Sequence, residues 1–187
     1  MTDYTLQPIP GKTLSRRLPE GTALVLEGGG LRGYYSCGVM EAFMEKDLLF
    51  PYIIGVSAGA ANALSYISGQ PGRSREIIEH YVGNPDYVST RNLLIKHTMF
   101  DFDYIFGTVP EKHIFFDWDK FHEQDTRFLT GAMNCADGKT IWFEKDTLKA
   151  PFMASRASCS VPLITKIQHY MGYDLLDGGI SDPIPIE

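Results

Sequence analysis

Three short motifs supply a hydroxyl, a carboxylate and a cluster of backbone amides, the parts that acyl transfer needs. Ser57 sits in Gly55-Val56-Ser57-Ala58-Gly59. Small neighbours on both sides let a strand-to-helix turn bend sharply enough to hold a serine hydroxyl clear of a sheet, as in a nucleophile elbow. Gly28-Gly29-Gly30-Leu31-Arg32-Gly33 also lies between an apolar run and a helical pattern. There glycines turn backbone N–H groups outward at a helix start, where the macrodipole favours negative charge and an oxyanion or phosphate can bind. Asp177 opens Asp177-Gly178-Gly179, a turn spelling. At the carboxyl end of a parallel strand, that carboxylate would face the crevice where open α/β sheets bind ligands.

Each motif alone has a plainer reading. Gly28, Gly30 and Gly33 also spell a dinucleotide fingerprint, but that reading requires an acidic residue about 20 positions on, at the end of the next strand. That place holds Gly55-Val56-Ser57 instead. A Rossmann-like dinucleotide-binding protein is therefore the alternative, as is a site that keeps the shape without turnover. An α/β-hydrolase places its histidine after the acid, yet His80, His97, His113, His122 and His169 all precede Asp177. They read as surface or satisfied core residues, and the economical arrangement has Asp177 itself activating Ser57.

These residues need elements to position them. Thr22–Glu27 reads as a strand buried on both faces and about 33–46 as a helix. Pro51–Val56 reads as a second strand, with helices over Ala58–Ser68 and Arg73–Val82. Alternating strand and helix means an α/β fold with a mainly parallel central sheet. Residues 83–111 show no clean period, and the aromatic run Met99–Phe106 is a candidate lid. Burial in the core is preferred for that run over contact with a membrane surface. A short helix at Trp118–Glu123, strands at 128–134 and 139–143, a helix over Leu148–Cys159, and strands at 164–171 and 173–176 complete the pattern. Residues 1–20, with three prolines and a basic cluster, read as an N-terminal arm preceding a domain over 21–187.

Composition narrows the function. At 187 residues, 44% apolar and 21% charged, the chain is sized for one globular domain. A net charge of −6 argues against a nucleic-acid partner. Cys37, Cys135 and Cys159 are too few for a disulfide framework, and no basic, apolar leader precedes them, so a reducing, cytoplasmic setting is expected. Leu48–Gly72 carries no charged side chain, but its polar residues, prolines and glycines mark interior strand, turn and helix rather than a membrane span. Ile180–Glu187 is still extended and apolar, as in a chain whose fold continues further.

Together, in this order, Gly-Gly-Gly-x-Arg-Gly, Gly-x-Ser-x-Gly and Asp-Gly-Gly resemble the patatin-like phospholipase family, from roughly Thr22 to the end. Ile180–Pro185 and Met99–Asp103 are most similar to a bacterial branch of small cytoplasmic members. The resemblance implies a three-layer α/β/α fold and hydrolysis of lipid acyl esters, phospholipids among them, by a Ser-Asp dyad with neither metal nor cofactor. It makes Ser57 the nucleophile and Asp177 the base. Gly28, Gly29 and Gly30, with Arg32, become the oxyanion-hole loop.

Overall fold

The structure is a computed structural model and describes residues 8–186. A two-residue strand β1 (Arg16–Arg17) precedes β2 (Ala23–Leu26), a 3-10 turn (Gly30–Gly33) and helix α1 (Tyr34–Glu45). Next come β3 (Leu48–Leu49), β4 (Tyr52–Val56), α2 (Ala58–Ile67), α3 (Arg73–His80) and α4 (Thr90–Lys96). A π-helical segment (Tyr104–His113) leads to α5 (Trp118–Glu123), β5 (Arg127–Asn134) and β6 (Thr140–Glu144). The described chain closes with α6 (Met153–Ser158), β7 (Gln168–Tyr170), β8 (Tyr173–Asp177) and a 3-10 turn (Gly178–Ile180).

The main sheet runs β2-β4-β5-β8-β7, with β6 also paired to β5, and helices cover it in a three-layer α/β/α arrangement. β2, β4 and β5 are parallel. The inner strands β4 and β5 are buried, with Ile53, Val56 and Phe128 fully enclosed. Each such side chain contributes roughly 1.5–3 kcal/mol by leaving water. β2 lies at the sheet edge with only Leu26 buried, so the strand expected there to be covered on both faces is half-exposed. The expected arm is only partly described, since residues 1–7 lie outside the described residues. From residue 8 onward the arm is pinned: Leu14 is buried, Lys12 N–H donates to the Gly69 carbonyl, and β1 pairs with β3.

β8 corrects the sequence expectation. It is antiparallel to β5, not parallel. β4 pairs with β5 as far as Val56 opposite Gly131, β6 covers Leu129–Met133, and β8 pairs from Asn134 back to Ala132. A strand has only two edges, so β6 takes one, while β4 and β8 approach each other along the other. Their carboxyl ends meet at Gly131 and Ala132.

Other departures are local. The expected helix over Leu148–Cys159 shrinks to α6. Pro151 disfavours helical geometry at Ala150, and Phe152 has φ 61°. The strand expected over 164–171 keeps only β7, between Leu163 at φ 71° and Met171 at φ 50°. Residues 83–111 contain α4 and most of the π-helical segment, whose wider turn and internal Pro110 explain why no α-helical period was visible.

Candidate active site

Ser57 closes β4 and caps α2 with φ 53° and ψ −126°. That backbone conformation costs a non-glycine residue of order 1–3 kcal/mol, so the surroundings must impose it. Two glycines do so by letting α2 press against the strands. A Cβ at Gly59 would stand 2.4 Å from the Leu26 carbonyl oxygen, and one at Gly55 would stand 2.9 Å from the backbone of Ala60. Ser57 N–H donates to Ser158 Oγ at 2.7 Å, and Ser158 Oγ donates to the Gly131 carbonyl at 2.6 Å. This brace, which motif reading missed, ties the turn to β5. Its only trace in the sequence is the serine-rich run Ser155-Arg-Ala-Ser-Cys-Ser160.

The facing strand ends bring Ser57 and Asp177 together. Ser57 Oγ donates to Asp177 Oδ2 at 2.8 Å, with both residues buried. Asp177 Oδ1 accepts from Gly179 N–H at 2.8 Å, so the carboxylate is held at both oxygens. Burial pushes the Asp177 carboxyl above its ordinary pKa, opposed in part by the hydrogen bonds from Ser57 and Gly179. Gly178 is required by the same convergence: a Cβ there would lie 2.3 Å from the Gly131 carbonyl oxygen.

The glycine loop lies alongside. A Cβ at Gly28 would come within 3.2 Å of Ser57 Cβ, so this loop faces the serine. Its three amides are not equivalent. Gly28 N–H donates to the Pro183 carbonyl at 3.3 Å, whereas no backbone acceptor is paired with Gly29 or Gly30 N–H among the described residues. Arg32 is exposed and folds back on the loop, with Nε 3.5 Å from the Gly29 carbonyl oxygen. The five histidines lie outside this arrangement; His169, for example, bonds Asp174 on the exposed β7–β8 hairpin.

Beside Ser57 opens a mostly apolar cavity of about 350 Å³. Ala58, Ala61 and Ser65 of α2 form one wall, at the helical spacing of one face. Ile77 and Ile78 of α3 form a second, and Phe102, Ile105 and Phe106 a third. The aromatic run is thus partly core and partly cavity wall. A more open groove of about 790 Å³, lined by Arg17, Tyr52, Arg127 and other polar groups, lies at the amino ends of the parallel strands, away from Ser57. Among the described residues, no helix is long and apolar enough to cross a membrane.

The patatin-like phospholipase family model matches residues 24–187, and the chain belongs to that family. It is 29% identical over 187 residues to the Escherichia coli protein YjjU, covering 98% of this chain and 52% of that protein. It is 26% identical over 171 residues to the NTE family protein Rv1063c of Mycobacterium tuberculosis, covering 88% of this chain and 44% of that protein. The chain thus spans about half the length of the curated relatives it matches. Among solved structures, VipD from Legionella pneumophila aligns with all of this chain and 52% of its own, at 14% identity and a TM-score of 0.49.

Proposed function

We propose that this chain is a serine esterase that hydrolyses lipid acyl esters through a Ser57–Asp177 dyad. The supporting observation is the 2.8 Å hydrogen bond from Ser57 Oγ to Asp177 Oδ2, at an apolar cavity and beside a glycine loop whose Gly29 and Gly30 N–H groups have no backbone acceptor among the described residues. A serine hydroxyl is a weak nucleophile until a base takes its proton. Asp177 Oδ2 receives that proton as Ser57 Oγ forms its bond to the ester carbonyl carbon, and burial makes this carboxylate a stronger base than one in water. The start of α2 favours charge developing on Oγ.

In this reading the tetrahedral oxyanion rests on the Gly29 and Gly30 N–H groups; Gly28 is engaged by Pro183 and serves instead to admit the loop close to Ser57. One such donor typically contributes roughly 10²–10³-fold in turnover. Arg32 steadies the loop. The proton on Asp177 passes to the departing alkoxide, which leaves an acyl group on Ser57. Water then attacks that acyl group, Asp177 again accepting the proton, and the free acid is released. The cavity holds the acyl chain.

The test is a fluorophosphonate probe with p-nitrophenyl esters of graded length. Wild-type protein should label at Ser57 and hydrolyse the esters, while Ser57→Ala and Asp177→Asn lose at least about 10³-fold in turnover. Wild-type rates in both variants would overturn the dyad. Lipid retention without labelling would leave a binding protein.

A further inference from the structure

A buried cation stands among the residues that line the cavity beside Ser57. Arg73, the first residue of α3, is only 4% exposed and lines the same cavity as Ser57. Its Nη1 donates to Ser65 Oγ at 3.1 Å, its Nη2 to the Ile114 carbonyl at 3.4 Å and its Nε to the Phe115 carbonyl at 3.3 Å. Phe116 lies under the guanidinium, 5.0 Å from ring centroid to Cζ. No carboxylate forms an ion pair with it among the described residues. Burial alone pulls its pKa down to about 9, as expected of a charge with no counter-charge nearby. At neutral pH it remains a cation.

A guanidinium has five N–H donors. Three are used here, which leaves one N–H on each terminal nitrogen without a partner among the described residues, two donors for the two oxygens of a carboxylate. The helices also set the distance. Ser57 precedes α2 and Ser65 lies eight residues further on, so at a rise of about 1.5 Å per residue Arg73 docks on Ser65 roughly 12 Å along the helix. A paired carboxylate carbon stands about 4 Å from the guanidinium carbon, and an extended chain advances about 1.2 Å per bond, so roughly seven to eight bonds separate the reacting carbonyl from the carboxylate.

We propose that the cavity takes an acyl chain whose far end carries a carboxylate, received by the Arg73 guanidinium. The proposal rests on Ser57 as the acylated residue. An acyl group with a methyl end would leave the cation unmatched, whereas a carboxylate supplies both the charge and two acceptors.

Two measurements test it. Mono-p-nitrophenyl azelate and p-nitrophenyl nonanoate have the same length and differ only in the end group, with shorter and longer pairs as controls. Wild-type kcat/KM should favour the carboxylate-ended ester by about tenfold or more, most strongly near nine carbons. Arg73→Met should bring that ratio to one or below, and Arg73→Lys should keep part of it. The ratio is internal to each protein, so a general loss of activity in a variant cancels. Separately, calorimetry on Ser57→Ala compares azelaic acid monoamide with nonanamide, and the charged ligand should bind at least about tenfold more tightly. Equal or better binding of the neutral ligand, or a wild-type ratio at or below one, overturns the proposal. Tighter binding of the charged ligand, with no turnover of either ester by wild-type protein, supports the anion site while sinking the hydrolase reading.

Discussion

Val56 and Asp177 stand at the facing ends of two strands that share one edge of β5, Val56 opposite Gly131 and Asp177 opposite Ala132. This relationship places the hydroxyl of the next residue, Ser57, 2.8 Å from the carboxylate. Because both groups are fixed by sheet hydrogen bonds rather than by long side chains, little conformational freedom remains to be lost when a substrate arrives.

The acid limb of the pH profile should report Asp177. Its carboxyl is raised above the ordinary value by burial, and the base must be ionised to accept the Ser57 proton. Activity is therefore present above the raised pKa and lost as pH falls through it. Plots of log kcat/KM for a neutral ester should bend at a pH above that of an ordinary aspartate. A limb at or below the ordinary value would contradict the assignment.

Ser158 should matter although it touches no substrate. Ser158→Ala leaves the buried Ser57 N–H and the Gly131 carbonyl without their present partner, at a cost of roughly 1–3 kcal/mol per unsatisfied group. Thermal unfolding should fall by several degrees, about 2–4 °C per kcal/mol at this size. Turnover should fall more than substrate affinity, because the turn that aims Oγ is loosened. An unchanged melting temperature and kcat would remove Ser158 from the account.

The α2 wall should set chain length. Ala61 lies between Ala58 and Ser65 on the face that lines the cavity, so Ala61→Phe fills the space an acyl chain would occupy. Nonanoate esters should lose about tenfold or more in kcat/KM while acetate esters change by less than about threefold. An equal loss on both would show that the chain lies elsewhere.

Much of this site was legible in the sequence because its informative residues are local. Gly55 and Gly59 are needed where α2 crowds the ends of β2 and β4, and a motif five residues long records that need. The direction of β8 was not legible, because strand polarity depends on pairing between residues more than forty positions apart, such as Ala132 with Asp177. The same limit hid the Gly28–Pro183 hydrogen bond and the Ser158 brace, since each joins distant segments whose residue types are unremarkable. Arg73 escaped notice for a different reason. Heading a charged stretch, Arg-Ser-Arg-Glu, it resembles a solvated helix start, and only the packing of Ile114, Phe115 and Phe116 over it removes it from water.

Pro183 gives the glycine loop a second master. By accepting the Gly28 N–H, the stretch just after Asp177 is tied to the stretch just after β2. Pulling that contact away would free one more amide in the loop that packs against Ser57, so strain applied six positions downstream of the acid would change how many donors the loop has to spare.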